Sequence, residues 1–148
     1  MSSSRADQIR EKVTQRHGIE LLKKLEGLDR GDLAKLDAYD LAWHENTAQR
    51  NALIESKPLF ALPLENSLVT VCEKFEAFID RFGSEVLIPF QLSFVFELSV
   101  RDPSALIRSF QRARGTCDIV VFCPHTKAMF EAQELEYETY IFVDVDEG

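Results

Sequence analysis

The sequence is poor in the features that announce chemistry. It holds only three cysteines, Cys72, Cys117 and Cys123. An odd, low count does not make a disulfide framework and fits a reducing compartment. The N-terminal run MSSSRADQIREK has no apolar signal core. No apolar run is long enough to cross a bilayer, so the expectation is a soluble, cytoplasmic protein with no membrane contact. Internal repeats and low-complexity tracts are absent. Positive charge is also short: 17 Lys and Arg stand against 25 Asp and Glu, a net charge of −8. An acidic chain repels phosphate backbones, so direct nucleic-acid binding is disfavoured and a basic protein partner is favoured.

Catalytic and metal signatures are similarly sparse. No Cys-x-x-Cys pair or G-x-S-x-G elbow occurs. His44-Glu45 is no zincin motif, because Ala48 stands where the second histidine belongs. Nothing calls for a cofactor. The chain is expected to be non-catalytic.

What is present is architecture. With 148 residues and 45% apolar composition, the chain is one domain with a real core. Val86 to Val100 carries an apolar residue at every even position, the period of a strand with one buried face. Its odd positions, among them Gln91, Ser93, Glu97 and Ser99, are mostly polar, which leaves that face for a covering segment or a partner.

Upstream, Ser2 to Ser4 with Asp7 caps a helix start, and Ile9, Val13, Leu21, Leu25 and Leu28 follow at helical spacing, with a break expected near Gly18. Gly27 to Gly31 is expected to turn into a second helix over about 32–56. Residues 1–56 thus form a helical hairpin, and residues 5–56 a route to a homodimer. Residues 57–63 are a proline-bounded linker. Leu64 to Phe82 has a wide apolar stripe ended by Gly83, the strongest helix in the chain.

Downstream, residues 64–148 form an α/β-like core. Asp102 and Pro103 open a helix that Gly115 closes. Residues 118–123 are a strand apolar on both faces, Pro124 opens a short helix carrying Met129 and Ala132, and residues 139–145 are a last strand. The expected fold class is α+β: N-terminal helices, then β-α-β-α-β with a small three-stranded sheet and right-handed parallel crossovers.

Four constellations are candidates for function. Cys123, next to Pro124 and His125, would end a strand just before a helix N-terminus, where amides and the helix dipole stabilise a thiolate. The run VVFCPHTKAMFEAQEL followed by YIFVDVDEG resembles the thioredoxin and glutaredoxin superfamily. That resemblance implies a thiol redox centre at Cys123, beside which His125 would add positive charge, although Thr126 replaces the second cysteine of the family's pair. The competing reading makes Cys123 a buried small hydrophobe. Asp144 and Asp146 share a strand face and are the candidate metal pair. Glu131, Glu134, Glu136, Glu138, Asp144, Asp146 and Glu147 make the C-terminal end acidic with no Lys or Arg among them, a surface that would steer a basic partner. Arg101, Arg108, Arg112 and Arg114 concentrate the opposite sign around the 103–114 helix, without the interleaved exposed aromatics that nucleic acid would call for. The leading functional expectation is an acidic inhibitor, immunity-type or antagonist protein masking a basic, nucleic-acid-handling partner. Its binding residues would be those acids (Glu147 aside) with Gln91, Ser93 and Glu97. The thiol enzyme is the alternative.

Overall fold

The period-two stretch at 86–100 is two strands, not one. In the computed structural model, which describes residues 4–35, 42–52, 57–65, 67–91 and 94–146, β3 spans Glu85–Pro89 and β4 spans Phe94–Val100. They pair antiparallel, with Ile88 opposite Phe96 and Pro89 opposite Val95. The turn is closed by Phe90 N–H donating to Phe94 O (3.1 Å) and Phe94 N–H donating to Gln91 O (3.1 Å). Each paired couple has residue numbers of equal parity. Cross-strand partners face the same side, so the alternation passes through the turn unbroken and imitates one long strand.

The expected three-stranded sheet with parallel crossovers is overturned. The sheet has seven strands in the order β1-β4-β3-β5-β6-β7-β2, and every pairing is antiparallel. The remaining strands are β1 (Leu28–Lys35), β2 (Phe60–Pro63), β5 (Ile119–Cys123), β6 (Ala128–Glu134) and β7 (Glu138–Val145). The fold is α+β.

Three of these strands replace other expected structure. β1 lies where a turn and the start of a helix were expected, so the helical hairpin over 1–56 does not form. Its LDRGDLAK has few β-formers, and it is ordered as an edge strand by pairing along β4. β2 lies in the expected linker and pairs with β7, Phe60 opposite Ile141. Pro63 is tolerated there because β2 is the other edge. β6 replaces the helix expected after Pro124. Residues 124–127 instead turn the chain back, with Lys127 at φ 51°. Ala128, Phe130 and Ala132 then belong to the main core, while Met129 joins the cluster on the opposite face.

Four helices complete the described residues: α1 (Arg5–Lys24), α2 (Ala42–Ala52), α3 (Ser67–Phe82) and α4 (Pro103–Arg114). α1 is capped by Ser4, whose hydroxyl accepts from Asp7 N–H (3.1 Å). It continues through Gly18 rather than breaking there. A Cβ at Gly18 would lie 2.9 Å from Leu33 Cδ2 and 3.2 Å from Phe90, so the glycine lets α1 approach the sheet closely. α3 and α4 match their expected positions. α4 starts at the Asp102 cap and ends at left-handed Gly115.

The main core lies on the helix-covered face, with Phe75 of α3 and Phe130 of β6 fully buried and their rings 5.2 Å apart. The opposite face holds a smaller cluster, Leu87, Val95, Phe122 and Met129, with Ala48 of α2 packed on it. α2 therefore covers part of the odd face of the 86–100 stretch. Residues 36–41 and 53–56 lie outside the described residues, as do Leu92 and Ser93. Among the described residues no helix is long and apolar enough to cross a membrane.

Candidate functional site: a carboxylate-lined cavity and an acidic hairpin tip

β5 and β6 run antiparallel, and so do β6 and β7, which puts Glu134, Glu136 and Glu138 around the β6–β7 turn, Glu131 within β6, and Asp144 and Asp146 at the other end of β7. Two features result.

The first is interior. Glu131 points to the α2 side of β6 and is only 5% exposed. Its Oε1 accepts from Asn51 Nδ2 (3.0 Å) and its Oε2 from Gln133 Nε2 (2.9 Å). The same Asn51 amide nitrogen donates to Asp144 Oδ2 (3.1 Å). Two carboxylates are thus tied together by one neutral amide. Burial pushes the Glu131 carboxyl above its ordinary range, and nearby Asp144 adds to the rise. The amide hydrogen bonds from Gln133 and Asn51 oppose it. Asn51 is completely buried, and its Oδ1 has no hydrogen-bond partner among the described residues.

Glu131 borders a cavity of about 640 Å³. The cavity exists because β3 and β5 share a single residue pair, Leu87 with Phe122. Toward Pro89, which has no N–H to donate, no further pair joins β3 to the start of β5. Ile88 and Pro89 line one side of the gap and Ile119 and Val120 the other. α4 contributes Phe110 and Arg114, and α2 contributes Glu45 and Ala48.

The second feature is external. β6 and β7 meet in a tight turn in which Leu135 N–H donates to Glu138 O (2.7 Å), leaving Glu136 and Tyr137 at the tip. Tyr137 is 77% exposed, and Glu134, Glu136 and Glu138 around it are exposed as well. Glu134 is anchored: its carboxylate accepts from Cys117 N–H (3.0 Å), and its own N–H donates to Asp118 Oδ1 (2.6 Å).

The ion pairs among the described residues cluster. The ion pairs Arg30–Asp32, Arg30–Glu97, Lys35–Glu11, Arg101–Asp29 and Arg112–Glu26 gather around β1 and its neighbours α1, β4 and α4. On the β6–β7 side, among the described residues, Glu131, Glu134 and Asp144 accept from amides, a hydroxyl and a backbone N–H. Lys57 borders with Asp144 a second hollow of about 390 Å³, and Arg114 borders with Glu134 the first cavity.

The other candidate residues disperse. Cys123 ends β5, is 1% exposed, and donates its thiol to Gly83 O (3.7 Å). Burial pushes the thiol up to about 11, against a lowering hydrogen bond from Thr126. The helix whose dipole was to stabilise a thiolate is strand β6, and His125 stands exposed in the turn. Asp144 turns to Asn51, while Asp146 lies past the end of β7, its N–H donating to Lys127 O (2.8 Å). Among the described residues no group of three or more His, Cys, Asp or Glu side chains is arranged to hold a metal ion. Gln91 is exposed in the β3–β4 turn, at the same end of the sheet as the hairpin tip, since Pro89 and Leu135 border one cavity, and Glu97 is paired with Arg30 on β1. Ser93 lies outside the described residues.

Asn51 and Gln133 were missed by the sequence reading. Gln133 becomes visible once Ala128 to Gln133 is read with period two, because it then shares a face with Glu131. Asn51 sits in a polar run with no local signal. Comparison with protein-family models, curated proteins and solved structures finds no match.

Proposed function

We propose that this chain is a non-catalytic protein-binding module that engages a basic partner through its β6–β7 end. The observation that carries the reading is the hairpin tip, where Tyr137 projects almost freely among Glu134, Glu136 and Glu138. A tyrosine presents a large, rigid, amphipathic surface, and such residues dominate binding energy when a partner covers them. The surrounding carboxylates supply attraction and orientation for a basic surface. A partner that handles nucleic acid, masked at its basic site by this acidic end, fits the charge. The ion pairs of the described residues support the reading, since they cluster on the β1 side and none of them engages Glu134, Glu136 or Glu138.

The test is a partner isolated with the full chain from its native host, followed by affinity measurements across salt concentrations. Tyr137→Ala is expected to weaken binding about tenfold or more, or at least 1.4 kcal/mol. The double charge reversal Glu136→Lys/Glu138→Lys is expected to weaken it further and to flatten its salt dependence. The charge reversal Glu20→Lys, exposed on α1, which packs at the β1 side of the sheet, is the control. Equal losses from both reversals, or an affinity indifferent to salt, would refute the reading.

A further inference from the structure

The structure assigns a second, separate role to the cavity in the sheet gap: a binding site for a small organic cation with an apolar body, of the aralkyl-ammonium class, with Glu131 as its counter-ion.

Size comes first. About 640 Å³ falls in the range of sites that enclose small ligands. The walls are largely apolar, with Ile119, Val120, Phe110 and Phe122 among them. An aromatic or aliphatic body would therefore bury well, at roughly 25 cal/mol per Å² of apolar surface removed from water.

Charge decides the rest. Four carboxylates border the cavity among the described residues, Glu45, Asp118, Glu131 and Glu134, against one guanidinium, that of Arg114. Asp118 and Glu134 are engaged by backbone N–H groups, and Arg114 lies 6.0 Å from the Phe110 ring. Glu131 differs from the others in being buried with neutral amides as its hydrogen-bond donors. An ionised carboxylate has about four acceptor positions, and those two amides use two. An ammonium group entering the cavity would fill the remainder and supply the charge that burial otherwise leaves uncompensated. An anion would meet the wrong field. A neutral apolar ligand would dehydrate Glu131 without compensating it. A hard metal ion would need some six oxygen ligands, which these apolar walls do not offer.

This inference does not depend on the protein-binding reading, and one experiment keeps the two apart. Phenethylammonium is titrated calorimetrically into the full chain, alongside the neutral phenethyl alcohol and the anion 3-phenylpropionate. Saturable binding of the ammonium is expected, with the alcohol about tenfold or more weaker, a gap of at least 1.4 kcal/mol. Glu131→Gln should remove that preference, weakening the ammonium and relieving the alcohol of the cost of dehydrating a carboxylate. Val120→Trp, which fills the gap, should abolish binding of both, with circular dichroism confirming the fold. Glu136→Lys/Glu138→Lys, which targets the hairpin tip, should leave phenethylammonium binding intact. No saturation up to about 10 mM ammonium, where any residual affinity is under about 3 kcal/mol, would overturn the assignment. So would equal affinity for alcohol and amine, or an ammonium affinity indifferent to Glu131→Gln.

Discussion

Asn51 of α2 and Glu131 of β6 are 80 residues apart in the chain and 3.0 Å apart in space. Through the same nitrogen Asn51 also reaches Asp144, 93 residues away. One side-chain amide thus fastens α2 to two neighbouring strands and keeps two carboxylates hydrogen-bonded beneath it.

Replacing that amide should therefore cost more than one hydrogen bond. Asn51→Leu keeps the volume but leaves buried acceptors unmet, a loss of about 1–3 kcal/mol. In a Glu131→Gln background the loss should be smaller, because no charge is stranded. Urea unfolding of wild type, both single variants and the double variant gives the coupling, expected in the range of about 0.5–3 kcal/mol. A coupling of zero would mean that the two side chains do not act on each other.

Glu131 makes a pH prediction of definite sign. Its folded pKa is raised by burial, so the folded chain binds more protons than the unfolded one. Stability then falls as pH rises from the unfolded value, about 4.3, through the higher folded value. Glu131→Gln removes this dependence. A Gln133 amide flip would restore a complementary donor and acceptor across the pair. The variant should unfold at higher urea than wild type at pH 7, and its advantage should vanish near pH 4. An advantage that grows toward acid would contradict the burial of an ionised carboxylate.

The thiols should be inert. Burial raises the Cys72 thiol and pushes Cys117 and Cys123 up to about 11 each, Glu134 adding to the rise at Cys117. Iodoacetamide labelling of the native chain should be slow at pH 8, accelerate only as pH approaches 10–11, and become rapid for all three cysteines in denaturant. Fast single-site labelling of Cys123 at pH 7 would restore a redox reading that the geometry around it does not favour.

The legible elements were those whose signals are local. α3 and α4 carry wide apolar stripes and their own stop and start residues, Gly83 for the one and Asp102, Pro103 and Gly115 for the other. β5 is apolar on both faces and β7 alternates. The core face of 86–100 was readable too, but not the number of strands, because the turn preserves parity. β1, β2 and β6 were illegible for a different reason. β1 draws its order from pairing with β4 and from ion pairs such as Arg30–Glu97, none of which is visible within eight residues. β6 was disguised by Pro124 and by Met129 and Ala132 standing three apart, which imitates a helix. The site was half legible: the acidic end could be seen as composition, whereas the Asn51 link joins segments whose approach only the fold decides.

The single pair Leu87–Phe122 has a mechanical meaning. It divides the sheet into β1-β4-β3 on one side and β5-β6-β7-β2 on the other. Each half is stiffened by ladders of four or more paired residues, with one irregularity at Leu28–Arg30, and the seam between them by a single pair. What holds the halves at a fixed angle is the shared core beneath α3 and α4, to which both contribute side chains. Few directional bonds cross the seam, so its register rests on side-chain packing, whose attraction drops by about a quarter to a half over a gap of 0.5–1 Å. The seam is therefore the compliant line of the molecule, and strain applied between Pro89 and Val120 would open the two halves like covers on a spine.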